Sequence, residues 1–138
     1  MEDYKILWID DDVNHPDLLS DRDALEDRGC NITPISNPDD IEYDNIPFYD
    51  CIIIDLAMPI GTKLTLPETS YGSRTGFVIL KKIKEQYPQT KFVVYSVFDV
   101  PDVRAYCNEY GIQYWIKSVP LSDEFADNIV KLIKGIEL

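Results

Sequence analysis

The sequence predicts an α/β fold: a doubly wound parallel sheet of five strands with helices on both faces. Three observations predict it. Apolar runs of strand length alternate with stretches of helical periodicity along all 138 residues. The run Cys51-Ile52-Ile53-Ile54 is continuously apolar, the pattern of a strand covered on both faces. Two runs end in acids, Asp55 and the triplet Asp10-Asp11-Asp12, and open α/β sheets place their ligand chemistry at the carboxyl ends of strands. Strict alternation with right-handed crossovers makes the sheet parallel.

Tyr4–Ile9 reads as the first strand. Asn14-His15-Pro16 opens a helix, because proline in the first turn forfeits no hydrogen bond. Gly29 ends that helix, and Leu18, Leu19, Ala24 and Leu25 form its apolar stripe. Asn31–Ile35 is a short strand. Asn37-Pro38-Asp39-Asp40 begins a short helix near Ile41–Tyr43, interrupted at Pro47. Asp50–Ile54 is the third strand. From Ile60 to Thr75 the pattern lapses among Gly61, Pro67, Gly72 and several Ser and Thr, so a long loop is expected.

Helical periodicity resumes at Gly76, with Phe77, Leu80, Ile83 and Tyr87 on one side, and stops before Pro88. Lys91–Tyr95 is the fourth strand. Pro101 to Tyr110 is a helix with Val103, Tyr106, Cys107 and Tyr110 inward, stopped by Gly111. Ile112–Ile116 is the last strand. Ser122 caps a final helix, whose acids Asp123 and Glu124 suit the dipole at its start. There Phe125, Ile129, Leu132, Ile133 and Ile136 recur at helical spacing. The tally is five strands and five helices in one domain, residues 1–138, with a long loop at about 60–75. No effector domain is expected after the last helix, so output would pass through another protein, or the sequence is a domain of a longer chain.

Composition excludes several function classes. A net charge of −12 argues against a nucleic-acid surface, whose affinity comes mainly from Lys and Arg on phosphates. It also disfavours anionic membranes. No apolar stretch approaches the ~20 residues of a membrane span, and the start, Met-Glu-Asp-Tyr-Lys, has no signal-peptide character. Cys30, Cys51 and Cys107 show no metal spacing. An odd count without a disulfide framework fits a reducing compartment, so a cytoplasmic protein is expected.

Four strand ends carry reactive groups: Asp10 with Asp11, then Asp55, Ser96 and Lys117. In a parallel sheet these ends share one edge and can converge. Three neighbouring carboxylates repel one another, and a bound Mg²⁺ (or Mn²⁺) resolves the repulsion, since Mg²⁺ prefers oxygen ligands and keeps several waters. Asp11 and Asp55 are the expected direct ligands, Asp10 acts through water, and the backbone carbonyl of Ala57 supplies a further oxygen. Asp12 is not an expected ligand. The single histidine, His15, reads as a solvated or capping residue, and Trp8 and Trp115 as core or surface aromatics.

In these segments the chain resembles the receiver domain of two-component response regulators. The resemblance is carried by Ile6-Leu7-Trp8-Ile9-Asp10-Asp11-Asp12, Ile52-Ile53-Ile54-Asp55-Leu56-Ala57-Met58-Pro59, Val93-Val94-Tyr95-Ser96 and Tyr114-Trp115-Ile116-Lys117. It implies a flavodoxin-like fold with strand order 2-1-3-4-5. It implies that Asp55 accepts a phosphoryl group from a sensor histidine kinase or a histidine phosphotransfer protein. Ser96 and Lys117 would contact the phosphoryl oxygens, and Tyr114 would turn inward as a switch. The chain would then be no turnover enzyme but a phosphoacceptor that assists its own phosphorylation and dephosphorylation. Its output surface, on the fourth and fifth helices and the last strand, would bind a downstream protein and could support a homodimer.

Four features depart from that pattern. Ser118 follows Lys117 where the family usually has proline, often with a cis bond; a non-proline cis bond costs about 2.5–4 kcal/mol, so either that cost is borne or the loop differs. Val97, β-branched, follows Ser96 where a small residue is usual and would narrow access for phosphodonors. Ala57 and Phe98 flank the expected path of hydrolytic water and offer it no side-chain hydrogen bond, which predicts a slowly hydrolysed aspartyl phosphate. The family glycine finds its counterpart only at Gly76, so the loop at 60–75 carries an insertion. That insertion reads either as a lid or kinase-specificity element, or as a tolerated mobile surface loop.

The runner-up reading is a pseudo-receiver, the same fold used as a protein-interaction module without phosphorylation. A small aspartyl-phosphate phosphatase of the haloacid dehalogenase type comes third. Its motif needs Asp-x-Asp-x-Thr/Val, and Asn14 stands in the last place.

Overall fold

A computed structural model describes residues 3–138. Met1 and Glu2, the start of the segment read for a signal peptide, lie outside the described residues. Five strands, β1 (Tyr4–Ile9), β2 (Cys30–Ile35), β3 (Cys51–Ile54), β4 (Phe92–Ser96) and β5 (Gln113–Ile116), form one sheet in the order β2-β1-β3-β4-β5. Every pairing is parallel. Four helices complete the fold: α1 (Pro16–Asp27), α2 (Thr75–Gln86), α3 (Pro101–Tyr110) and α4 (Ser122–Lys134).

The sheet is buried on both faces because alternate residues of its central strands serve two cores. Ile6, Trp8, Ile53, Val93 and Tyr95 meet α1 and α4 through Leu18, Leu25, Phe125 and Ile129. Leu7, Ile9, Ile52, Ile54 and Val94 meet α2 and α3 through Phe77, Leu80, Ile83 and Val103. Cys30, Cys51 and Cys107 are free, buried thiols. No helix among the described residues is long and apolar enough to cross a membrane.

The fifth α-helix expected between β2 and β3 is absent. Two 3-10 segments, Pro38–Asp40 and Tyr43–Phe48, run there instead. Asn37 caps the first by accepting the Asp39 N–H at 3.0 Å, but Ile41 is already extended. Pro47 lies inside the second and has no N–H to extend a helix. Segments this short cannot repay helix nucleation; burial of Ile41 and Ile46 in the core fixes them.

Individual positions also differ from the periodic reading. Leu19 is exposed, and Asp21 takes its inward place on α1. Tyr110 and Ile136 face solvent. Leu121 is the N-cap of α4, and Ser122 is its first residue. The Ser122 hydroxyl donates to Asp21 on α1 at 2.7 Å rather than accepting a backbone N–H as a cap would.

From 60 to 74 the long loop has no regular secondary structure, but it and Thr75, the first residue of α2, are heavily cross-bonded. Asp39 accepts the Thr62 N–H at 2.9 Å and its hydroxyl at 3.0 Å. Thr65 and Glu68 bond reciprocally, at 2.8 and 3.2 Å. The fully buried Thr69 donates to the Thr65 carbonyl at 2.9 Å. Arg74 grips Asp102 at the start of α3 through two guanidinium nitrogens. Thr75, also fully buried, donates to the Met58 carbonyl at 2.7 Å. These bonds tie the loop to Asp39, to α3 and to the chain after β3.

After the loop the chain must return tightly onto β3, and Gly76 permits this. A Cβ there would lie 1.7 Å from the Asp55 carbonyl oxygen. That oxygen is backbone and cannot rotate away. Gly76→Ala should therefore cost at least about 3 kcal/mol, the upper range for overpacking. Urea unfolding checks this, as a lower midpoint at unchanged m-value; an unchanged midpoint would refute the close approach.

Candidate functional site: an acidic cluster at the sheet edge

The parallel register brings the strand-end groups together. Ile9 pairs with Ile54, and the Asp55 N–H continues that ladder to the Ile9 carbonyl at 3.0 Å. Asp10 and Asp55 therefore emerge side by side. On the other flank Ser96 pairs with Ile116, and the Lys117 N–H bonds the Ser96 carbonyl at 2.9 Å. Each functional residue lies at or just past the end of a strand that its apolar neighbours hold in the core.

Carboxylate oxygens of Asp10, Asp11 and Asp55 all lie within 4.8 Å of one another. Asp10 is fully buried, Asp55 nearly so, and Asp11 is exposed. Lys117 reaches over them with its Nζ 2.7 Å from Asp10 Oδ2 and 2.9 Å from Asp55 Oδ2. The contact to Asp10 is an ion pair without a well-directed hydrogen bond. Backbone amides take the other oxygens: Leu56 N–H donates to Asp55 Oδ1 at 2.7 Å, and Asp12 N–H to Asp10 Oδ1 at 2.8 Å.

Electrostatics follow from this crowding. Burial, and then the neighbouring Asp55 charge, push the Asp10 carboxyl up to about 6, against the pull of Lys117 and the Asp12 amide. Burial, Asp12 and Asp55 likewise raise Asp11. Burial opposes the charge on Lys117, but Asp55 and Asp10 outweigh it and hold the ammonium above its usual range. One ammonium against three carboxylates leaves two negative charges uncompensated when all ionise. A buried carboxylate oxygen short of hydrogen bonds and an all-oxygen donor set fit a hard divalent cation such as Mg²⁺.

The other predicted residues fall into place unevenly. Ser96 is fully buried, and its Oγ accepts the Phe98 N–H at 3.3 Å. Ala57 borders the same shallow depression as Asp11. Val97 and Phe98 are both exposed. Asp12 points to solvent, and His15 is a capping residue that accepts the Asp17 N–H at 3.1 Å. Trp8 is a core residue, while Trp115 is half-buried. Tyr114, the expected switch residue, faces inward here. It is already buried; its hydroxyl donates to the Phe98 carbonyl and accepts the Val100 N–H at 3.1 Å.

The Lys117–Ser118 junction is settled as well. No cis peptide occurs among the described residues, and Ser118 adopts φ +68°. Val119 N–H bonds the Ile116 carbonyl at 3.2 Å. Lys117 and Ser118 are thus the central residues of a four-residue turn whose third position is left-handed. The loop differs from the proline pattern and bears no cis cost.

No family model matches the chain, and no curated protein matches it. Solved structures do. One is a CheY-like response regulator receiver domain protein from Methanospirillum hungatei JF-1. It has a TM-score of 0.67 and 18% identity over 97% of this chain and 99% of that one. The receiver domain of Francisella response regulator 1452 gives 0.70 and 23%, over 96% and 98%. The isolated receiver domain of RcsB from Salmonella enterica serovar Typhimurium gives 0.72 and 21%, over 99% and 93%. That last structure was obtained in the presence of phosphomimetic BeF3⁻. The fold is therefore the flavodoxin-like fold of response regulator receivers, with the strand order 2-1-3-4-5.

A divalent cation held by this cluster should stabilise the protein by mass action. At Mg²⁺ about a hundredfold above its Kd, unfolding should cost about 2.7 kcal/mol more. A thermal melt series in Mg²⁺ at constant ionic strength checks this. Asp11→Asn should abolish most of the rise in Tm; an equal rise in that variant would place the cation elsewhere.

Proposed function

We propose that the protein is a phosphoacceptor receiver, in which Asp55 takes a phosphoryl group from a histidine kinase or a histidine phosphotransfer protein. The observation that carries this reading is the meeting of Asp10, Asp11 and Asp55 under one lysine that touches two of them. A carboxylate oxygen of Asp55 attacks the phosphorus in line. An O–P bond forms as the N–P bond of the phosphohistidine breaks. The electron pair returns to the imidazole nitrogen, which takes up a proton from solvent. Leu56 N–H steadies Asp55 through its Oδ1. Lys117, already at Asp55 Oδ2, offers its charge to a phosphoryl oxygen, and Ser96 offers its hydroxyl hydrogen to another. Asp10, Asp11, Asp55 and the Ala57 carbonyl would hold Mg²⁺, which supplies positive charge against that spread over the phosphoryl oxygens.

Incubation with acetyl phosphate and Mg²⁺, followed by intact mass measurement, tests this. Wild type should gain one phosphoryl group, and Asp55→Asn none. Labelling that survives in Asp55→Asn, or no labelling of wild type, would reject the reading. The second outcome would favour the pseudo-receiver, a protein-interaction module without phosphorylation. The Tyr114 clamp on Phe98 and Val100 is the observation on that side, since it holds the loop after β4 in place unaided.

The pinned loop at 60–75 reads best as a specificity element for the phosphodonor protein. Leu66, Tyr71 and Gly72 border a depression that continues through Met58 and Ala57 to Asp11, and Tyr71 is 79% exposed. A protein that delivers a phosphoryl group to Asp55 must cover this rim. Tyr71→Ala should slow transfer from the partner's phosphohistidine roughly tenfold, the scale of a single interface anchor, while labelling by acetyl phosphate stays unchanged. Equal rates from the protein donor would remove that role.

A further inference from the structure

We propose that Gly72 and Thr75, at the closing end of the long loop, orient the Ala57 carbonyl toward the cation site, so that the loop supports a metal ligand as well as the rim. The inference rests on the cation site of the receiver reading and adds a layer behind one of its ligands. The chain leaves β3 at Ile54, and beyond Asp55 no strand ladder holds it. Each of the peptide groups that follow is held by a single bond. Leu56 N–H donates to Asp55 Oδ1 at 2.7 Å. The Leu56 carbonyl accepts the Gly76 N–H at 2.9 Å, and Met58 N–H donates to the Gly72 carbonyl at 3.1 Å. The Met58 carbonyl accepts the Thr75 hydroxyl at 2.7 Å. All but the first of these partners come from residues 72–76. Ala57 alone is passed over: its N–H and its carbonyl take no partner among the described residues.

Peptide planarity turns these bonds into a direction. In a trans peptide the C=O and the following N–H point opposite ways, and no cis bond occurs among the described residues. Gly72 takes the Met58 N–H, so the Ala57 carbonyl, in the same plane, points away from Gly72. Ala57 is half-buried and borders the depression that Asp11 also lines. A carbonyl oxygen left unbonded beside an exposed carboxylate is a ready ligand for a hard cation. The bond to Gly72 is the one that fixes this plane, since Gly76 holds the plane before it and Thr75 the plane after it. Thr75 also steadies the acceptor. Its hydroxyl lies 3.1 Å from the Gly72 carbonyl, and the residue is fully buried. It is not the cap of α2, whose N-cap is Arg74. Gly72 meets the segment closely, at φ +94°, where a Cβ would lie 3.2 Å from the Met58 carbonyl oxygen. Thr62 and Arg74 already fasten the loop to Asp39 and to α3. What Gly72 and Thr75 add is the orientation of one peptide.

Thr75→Val removes the hydroxyl and keeps the shape, whereas Thr75→Ser keeps the hydroxyl. Two readouts are needed. The first is hydrogen exchange of the Met58 amide, measured without metal; protection in wild type and Thr75→Ser should fall about tenfold or more in Thr75→Val. The second is the affinity for Mg²⁺ and for Ca²⁺, each taken from thermal melts in the chloride salt at constant ionic strength. Loss of an outer partner of a metal ligand costs roughly 10–100-fold in affinity, so Thr75→Val should bind Mg²⁺ at least about tenfold more weakly. Mg²⁺ demands near-ideal octahedral geometry while Ca²⁺ accepts a flexible one, so Ca²⁺ should lose less than about threefold. Thr75→Ser should keep the wild-type preference between the two ions. A merely structural role would lower the metal-free Tm and leave that preference unchanged. Gly72→Ala, which pushes on the Met58 carbonyl, should act in the same direction and carries the test if Thr75→Val does not fold. An unprotected Met58 amide in wild type overturns the network. Protection lost with Mg²⁺ affinity unchanged, or both ions weakened equally, overturns the orienting role. If Mg²⁺ does not raise the Tm of wild type at all, the cation site itself fails, and the orienting role with it.

Discussion

One ammonium group stands against three carboxylates at the end of a buried sheet, and most of the local architecture serves that imbalance. Lys117 touches both Asp10 and Asp55. It can do so only because β1 and β3 lie adjacent, and because the ladder runs one residue beyond each pair of strands. Burial makes the imbalance expensive. Asp10 is driven up to about 6 although the lysine sits beside it. A site left this unsatisfied by its own side chains fits a cation, since removing charge repulsion and restoring ligation would act in the same direction.

The parts of this arrangement that could be read in the sequence were those encoded within a few residues. A strand of apolar residues followed by Asp10 or Asp55 carries both its location and its chemistry in one short word, so the acidic cluster was legible, whereas the sheet order followed only from the resemblance to receiver domains. Gly76 was legible as a counterpart position, although not its reason, the approach to the Asp55 carbonyl. The segment between β2 and β3 was misread because an apolar, acidic stretch looks weakly helical, whereas Pro47 and the inward pull of Ile41 and Ile46 decide the backbone. Least legible were pairs made across the fold. Asp21 is 74 residues from Tyr95 and 101 from Ser122. Each looked ordinary where it stood: a polar residue on a helix, an aromatic in a strand, a serine at a helix start.

The long loop draws its fastenings from the same residues that mark it as irregular. Its Gly, Ser and Thr residues signalled irregular backbone correctly, but the same hydroxyls are its internal fastenings. Thr62, Thr69 and Thr75 each bond a carboxylate or carbonyl in the loop or its support. Arg74 then anchors the loop to α3. Ser70 and Tyr71 adopt left-handed backbone, a conformation that only a surrounding web of bonds sustains. Fastening the inner side in this way leaves the outer side free to present Leu66 and Tyr71 at the rim of the acidic depression.

On the proposed receiver reading, the surroundings of Ser96 obey a related logic. Ser96 Oγ already accepts the Phe98 N–H, which leaves its own hydrogen to donate. That bond is long, at 3.3 Å, and closes a local serine turn of the weak kind. Tyr114 adds the stronger restraint, two backbone bonds at Phe98 and Val100 from a buried hydroxyl. A phosphoryl group that recruits Ser96 therefore meets little resistance at the serine itself. Resistance to moving the loop resides in Tyr114, whose ring also lies 4.3 Å from the Arg104 guanidinium on α3. A displacement at Ser96 would reach the surface through that contact, so α3 and β5 are the elements on which modification at Asp55 would be read.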